Sequence, residues 1–281
     1  MSKQVQSIVG SSRNSKRVQF ILLFLFIPLF IIPFYVVLSA SFKTSAGADV
    51  STMWKLPAQW TTSGISMAWR SLKGNFGHSL SMAIPAVVIS SLIGALNGFI
   101  LSKYKFKFSN LLFTLMLVGM FIPFQTILIP MVRFLQFIHL YGTLPGLTLV
   151  HIVYGIPITS LMFRNFYVSI PKAIVEAAAI DGAGLMKTFI RIILPLSIPG
   201  FVVAGIFQFT NIWNDFLFGI VAIPNPANQP VTAALNNLSG TQTVDWNVLM
   251  AGSLIAALPT AIIYLLLGRY YIQGLTAGSV K

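Results

Sequence analysis

The chain carries a 33-residue segment between two long apolar runs, residues 165–197, which reads NFYVSIPKAIVEAAAIDGAGLMKTFIRIILPLS. Connections between helices are usually about 4 to 6 residues long, so this segment predicts a folded element of its own. Ser169 and Pro171 are suited to begin a helix, because serine can cap free N–H groups and proline is tolerated in the first turn. Strong helix formers then continue as far as Ile180.

The second half of the segment predicts a turn and another short helix. Residues 181–184 include two glycines, which free the backbone and end the first helix. The second helix is predicted at residues 185–193, and Pro195 and Pro199 end it.

The first of these helices has the composition of a contact surface. Small side chains would let a partner approach closely, and Glu176 adds one of the few charges; the small residues are Ala177, Ala178, Gly182 and Ala183. The alternative is a helix lying on the bilayer surface, with Lys187 and Arg191 against phosphate headgroups. The residues alone leave these two interpretations open.

Outward from this segment, the chain consists largely of apolar runs long enough to cross a bilayer, which takes about 20 residues. Hydrophobic residues make up 56% of the chain and charged residues 8%, against roughly 25% charged residues in a soluble domain. The composition therefore predicts an all-α membrane protein without a large soluble domain. Six transmembrane helices are predicted, at residues 18–40, 79–101, 111–131, 144–163, 198–223 and 248–267.

The distribution of Lys and Arg predicts the orientation. In a six-span arrangement, 13 of the 18 cations fall on one side and 5 on the other. Cytoplasmic loops carry the excess, so both termini are expected in the cytoplasm, with residues 1–17 and 271–281 as tails on a transmembrane domain at 18–270. The first apolar run exceeds the roughly 7 to 15 residues of a signal peptide core, which predicts a retained anchor.

The 165–197 segment resembles the signature loop of ABC importer permeases, in which EAA is followed by three residues, Gly, nine residues, Ile, one residue and LP. This chain has Glu176-Ala177-Ala178, Gly182, Ile192 and Leu194-Pro195 at those spacings. The fuller strings EAAAIDGAG and FIRIILPLS are similar to the carbohydrate-uptake branch, in particular its shorter, maltose-permease-like subunit. The resemblance extends over nearly the whole chain.

The resemblance implies the type I ABC importer permease fold in a prokaryotic inner membrane. It also implies that the segment forms coupling helices seated on a separate, dimeric ATPase subunit that binds ATP and Mg. This chain would then bind no cofactor and be no enzyme itself. The other implied partners are a second, different and longer permease subunit and an extracytoplasmic sugar-binding protein. The residues assigned to ATPase coupling are Glu176, Ala177, Ala178, Asp181 and Gly182.

A polar cluster interrupts the fifth predicted span, at Asn211, Asn214 and Asp215. Acids inside a membrane are candidates for function, so these residues could line a substrate pathway. Alternatively they make a structural hydrogen bond between spans, or lie at the outer interface with Trp213 in an aromatic belt. The pattern favours the structural interpretation. The polar segment 224–246 follows, and the resemblance implies that it reaches the sugar site of the binding protein.

Other classes of function fit the residues less well. A stand-alone secondary transporter or channel usually has ionisable residues near the bilayer midplane, and here only Asp215 qualifies. No motif predicts an intramembrane enzyme, and His78, His139 and His151 are too scattered for a metal site. The positive net charge reflects scarce acids, which predicts contacts with membrane lipid and no nucleic-acid platform.

Overall fold

The computed structural model describes residues 13–239 and 244–277, and within these ranges the chain is helical without strands. Residues 1–12 and 278–281 of the two predicted tails lie outside the described part, as do residues 240–243 of the predicted polar segment. The α-helices of the described residues are α1 Arg13–Ser41, α2 Ser63–Lys103, α3 Ser109–Met120, α4 Leu128–Phe137, α5 Leu144–Val168, α6 Lys172–Ile180, α7 Leu185–Thr188, α8 Leu194–Leu196, α9 Ile198–Trp213, α10 Leu217–Ala222, α11 Val231–Asn237 and α12 Trp246–Ala277.

Among the described residues, four helices are long and apolar enough to cross a bilayer unbroken: Val18–Ser41, Ser63–Lys103, Leu144–Val168 and Trp246–Tyr270. Two bent pairs of helices are also long and apolar enough when each pair is taken together. Ser109–Met120 and Phe124–Phe137 meet at 93°, and Leu185–Leu196 and Ile198–Trp213 meet at 77°. The prediction of about six spans is confirmed when each bent pair counts as one. The side of the membrane on which the termini lie stays a prediction.

The third predicted span is a broken helix rather than a straight one. Helix α3 ends at Met120, and Pro123 precedes the short 3-10 turn Phe124–Ile127 that leads into α4. Proline has no N–H and disfavours helical geometry in the residue before it, which accounts for the break. Pro157, by contrast, remains inside the continuous helix α5.

The fifth predicted span also ends early. Helix α9 stops at Trp213, and α10 resumes only at Leu217. Between them lie Asn214 and Asp215, whose side chains compete for backbone hydrogen bonds and so favour helix ends over helix interiors. Two of the three residues of the polar cluster therefore lie at a break in the span, and Asn211 lies in the last turn of α9.

The chain divides into two compact units, residues 1–70 with 238–255 and residues 71–237 with 256–281. In the first, the segment after α1 folds around a buried cation. Lys43 is 3% exposed, and its Nζ donates to the carbonyl of Thr52 at 2.7 Å. Its own carbonyl accepts a hydrogen bond of 3.2 Å from Nδ2 of Asn247. Burial lowers the pKa of Lys43 below its ordinary value.

In the second unit, α2 and α5 approach so closely that glycine is required at their contact. A Cβ atom at Gly94 would overlap Thr159, and one at Gly98 would overlap Phe163. Small residues four apart are a common means of helix packing in membranes, where lipid provides no hydrophobic drive between helices. A hydrogen bond of 2.9 Å from Oγ1 of Thr159 to the carbonyl of Ser90 accompanies this contact.

Candidate functional site

Helix α6 is a nine-residue helix between the end of α5 and the bent helix that begins at Leu185. Helix α5 runs to Val168, beyond its predicted end at residue 163. Ser169 is the last capping residue of α5, and its hydroxyl donates to the carbonyl of Phe166 at 2.6 Å. Ser169 therefore does not begin α6 as predicted. The residue directly before α6 is Pro171, which provides no side-chain cap.

The turn after α6 depends on a left-handed glycine. Gly182 has φ of +73°, and its N–H donates to the carbonyl of Ala179 at 3.1 Å. The N–H of Ala183 reaches back to the carbonyl of Ala178 at 2.9 Å. These two bonds form the Schellman arrangement that satisfies the last carbonyls of a helix. Asp181 lies at the end of α6 with its side chain exposed.

The second helix of the segment continues further than predicted. A π-helical stretch, Phe189–Ile193, joins α7 to α8, and Pro195 lies inside α8 instead of ending the helix. Pro195 occupies the first turn of α8, where a missing N–H is tolerated. The chain bends by 77° after Leu196, and α9 begins at Ile198.

Helix α6 has one face packed on its own protein and one face exposed. Ala178 is 4% exposed, and Val175 packs against a buried aromatic cluster. On the other face Glu176 and Ala177 are exposed, and the side chain of Ile180 is 87% exposed. Of the predicted coupling residues, Ala178 is thus buried, whereas Glu176, Ala177, Asp181 and Gly182 are exposed.

The aromatic cluster that contacts α6 contains residues from helices before and after α6. Its members come from α2, α5, the π-helical stretch and α9: Ala95, Phe99, Phe163, Tyr167, Phe189, Ile193 and Ala204. The ring of Phe99 stacks on Phe189 at 5.8 Å between centroids and meets Tyr167 edge-on at 6.2 Å. Aromatic pairs at these separations are favourable beyond the apolar area that they bury.

The polar cluster of the fifth span lies at the other end of α9. The side-chain amide of Asn211 donates to the carbonyl of Phe207, and that of Asn214 to the carbonyl of Thr210, both at 2.9 Å. Both asparagines are exposed. Asp215 differs, because its carboxylate accepts the N–H of Gly219 at 3.0 Å and so caps the first turn of α10.

His151 of α5 faces this carboxylate, a pairing that the sequence analysis missed. Its Nε2 lies 3.7 Å from Oδ2 of Asp215, and both side chains are largely buried. The two residues are 64 positions apart, so no local pattern links them.

Trp213 is buried inside the protein, with 1% of its surface exposed, and its Nε1 donates to the carbonyl of Ala256 at 2.8 Å. It therefore does not lie in an aromatic belt at the membrane interface.

The structure does not bring α6 and the polar cluster together. They flank the 16-residue helix α9, which spans about 24 Å at a rise of 1.5 Å per residue. A signal at one region must therefore travel through packed helices to reach the other.

Residues 90–275 match the family described as binding-protein-dependent transport system inner membrane component. The chain is 49% identical to a probable ABC transporter permease protein of Pyrococcus horikoshii, over 66% of this chain and 67% of that relative. It is 32% identical to a xylose/arabinose import permease protein of Haloferax volcanii, over 96% and 95% of the two chains. It is 31% identical to a melibiose/raffinose/stachyose import permease protein of Bacillus subtilis, over 89% and 91%.

Two solved structures share the fold. A chain of a bacterial ABC transporter involved in the import of the acidic polysaccharide alginate matches with a TM-score of 0.77 at 17% identity, over 92% of this chain and 98% of that one. A chain of the MetNI methionine ABC transporter matches with a TM-score of 0.57 at 19% identity, over 74% and 98%. The predicted ABC importer permease fold is confirmed. By its family match and its relatives, the chain belongs to the binding-protein-dependent transport system inner membrane components, the multi-pass permease subunits of prokaryotic ABC importers.

Proposed function

We propose that this chain forms half of the translocation pathway of an ATP-driven sugar importer, and that α6 couples this pathway to a separate ATPase subunit. A binding protein outside the cell delivers the sugar. ATP and Mg bind to the ATPase dimer, so the chain itself carries no catalytic residue and no cofactor. The observation that supports the coupling role most directly is the division of α6 into a packed face and an exposed face.

The exposed face has the features of a docking surface. Ile180 presents a large apolar side chain at the end of α6, and Glu176 and Ala177 lie beside it. Burying an isoleucine side chain contributes about 1.5 to 3 kcal/mol. The packed face attaches α6 to the aromatic cluster, so that a displacement of α6 reaches the spans. A conformational change of the spans requires contacts that differ between the two states, and α6 is suited to supply them.

The second proposed partner is a different, longer permease subunit that lies against this one. Asn211 in the last turn of α9 and Asn214 just after it are both exposed, although each amide already donates to one backbone carbonyl. Exposed amides within a membrane are unfavourable against lipid, which supports a shared, wet pathway. Amides that donate and accept hydrogen bonds suit the hydroxyl groups of a neutral sugar. Relatives named for pentose and galactoside import support a sugar as the solute. Asp215 has a capping role and is not proposed to contact the solute.

The test is reconstitution of the chain with its permease partner, ATPase subunit and binding protein in proteoliposomes. We expect sugar uptake that requires ATP, together with ATP hydrolysis stimulated by the loaded binding protein. Ile180→Ser should weaken ATPase binding by about tenfold or more, the scale for loss of one buried apolar side chain. Phe137→Ser is the matched control, since Phe137 of α4 is 81% exposed but lies outside the 165–197 segment.

Two outcomes would contradict the proposal. Uptake driven by an ion gradient in vesicles that lack the ATPase subunit would indicate a stand-alone secondary transporter. Equal loss of ATPase binding in the Ile180 and Phe137 variants would indicate a general effect of removing exposed apolar side chains, not docking at α6.

A further inference from the structure

The last residue of α2 contacts the chain immediately before α6. Nζ of Lys103 donates a hydrogen bond of 2.5 Å to the carbonyl of Ile170, the residue that precedes Pro171. This carbonyl lies in the short link between α5 and α6, beyond the last helical residue Val168. Hydrogen bonds from a charged donor are shorter and stronger than neutral ones.

A second contact holds the same end of α2 against the other side of the segment. Phe99, one turn before Lys103, stacks on Phe189 in the π-helical stretch that follows α6. Phe99 also meets Tyr167 in the last turn of α5 edge-on. The hydroxyl of Tyr167 in turn shares a hydrogen bond of 2.8 Å with Oγ of Ser197. The end of α2 is thus attached to the chain both before and after α6.

We infer that Lys103 is a positioning residue for coupling, which clamps the base of α6 to α2 so that the two move as one body. Helix α2 has 41 residues and therefore extends about 60 Å. A displacement of α6 by the ATPase is then delivered to a helix long enough to carry it across the bilayer. This inference rests on the proposed coupling function and identifies the residue through which that coupling passes.

A lysine at a helix end near the membrane surface has a simpler possible role, which is to place its charge among lipid headgroups. The geometry favours the clamp, because the ammonium group points at a specific carbonyl and the side chain is half-buried. Phe99, one turn earlier, stacks on Phe189, so this end of α2 has a second contact with the segment that an interaction with lipid headgroups does not explain.

The test compares Lys103→Met with Lys103→Arg and with Lys107→Met in the complete reconstituted complex. Lys107 is the matched control, because it is exposed four residues further on and removal of its charge is equivalent. We expect Lys103→Met to retain the ATPase subunit but to transport less solute per ATP hydrolysed, because a displacement of α6 is no longer passed fully to α2. Lys103→Arg should keep most of the solute transported per ATP, and Lys107→Met should transport as much per ATP as the unmodified chain.

A distance measurement tests the clamp independently of transport. The chain has no cysteine, so spin labels at Lys105→Cys and Ala173→Cys report only the separation between α6 and the link that begins two residues after Lys103. We expect a narrow distance distribution that broadens with Lys103→Met and not with Lys107→Met. An unchanged distribution and unchanged transport per ATP in Lys103→Met would overturn the inference, and equal losses in both methionine variants would assign Lys103 to lipid headgroups.

The two measurements also separate this inference from the function on which it rests. If the unmodified complex shows no stimulated ATP hydrolysis while the label distances respond to Lys103→Met, the clamp stands and the coupling function fails. If stimulation is present and neither measurement responds to Lys103→Met, the clamp alone fails.

Discussion

The turn after α6 allows a test in which a single methyl group is added without a steric clash. Gly182 has φ of +73°, and a Cβ atom there would meet no atom within 4 Å. The substitution Gly182→Ala therefore acts through backbone conformation alone. A left-handed conformation costs an L-residue roughly 1 to 2 kcal/mol.

Gly184, two residues later, is a matched control for the same chemical change. Its φ is −69° and its ψ is 170°, a conformation that alanine adopts readily, and a Cβ atom there also meets nothing within 4 Å. Gly184→Ala gains about 0.4 to 1 kcal/mol because alanine has less freedom in the unfolded chain, and loses some of this because Gly184 is the N-cap of α7, where glycine is preferred over alanine, so its net effect on stability should be small. In both variants the added methyl group meets open space, but only Gly182→Ala places it on a residue with positive φ.

The expected effect appears in the affinity for the ATPase subunit. In the free permease, the turn of Gly182→Ala can relax to a less strained conformation. When α6 is bound to the ATPase subunit, the turn must keep the Schellman arrangement, so the strain weakens binding. The dissociation constant should then rise by about 5- to 30-fold for 1 to 2 kcal/mol. The measurement is a titration of labelled ATPase subunit against the permease in nanodiscs. If Gly182→Ala and Gly184→Ala shift the affinity equally, or neither shifts it, the left-handed turn does not present α6 to its partner.

Three further outcomes follow from contacts elsewhere. Gly94→Ala should lower the thermal midpoint, because overpacking against Thr159 costs about 1 to 3 kcal/mol; Gly74→Ala, on the same helix with open space around it, should be neutral or slightly stabilising in the same melting assay. Asp215→Ala should lower stability in thermal unfolding by about 0.5 to 2 kcal/mol through loss of the cap on α10, and Asp215→Asn by less. The pKa of Lys43 is lowered by burial, so the unfolded chain binds more protons, and stability should rise with pH as pH approaches the ordinary lysine value of 10.5. Lys43→Met should show a flatter dependence of the thermal midpoint on pH, and an unchanged slope would contradict the assignment.

The number of spans, and with it the position of residues 165–197 between two spans, could be predicted because the bilayer limits the choices. A chain in lipid must satisfy its backbone hydrogen bonds internally, so long apolar runs become helices. The breaks could not be predicted in the same way. Pro123 lies at a sharp break whereas Pro157 remains inside α5, since in a membrane the surrounding helices decide whether a freed carbonyl is tolerated.

The candidate site likewise has features that could be predicted from the sequence and features that could not. The spacing of Glu176, Gly182 and the residues around Pro195 located the segment, and the glycine composition predicted the turn. Ala177 and Ala178 are chemically identical, yet Ala177 is exposed and Ala178 is buried. No property of the residues themselves could have separated them.

What the amino-acid sequence determined by itself is the class of the molecule: a helical membrane chain in which residues 165–197 have the spacing of the ABC importer signature loop. That much follows from apolar length and local backbone preference, which act between near neighbours. Only the tertiary structure decided which face of α6 is free, that Lys103 reaches the carbonyl of Ile170, and that His151 stands opposite Asp215. These pairs lie 64 and more positions apart, and their contacts arise from helix packing, which no local pattern encodes.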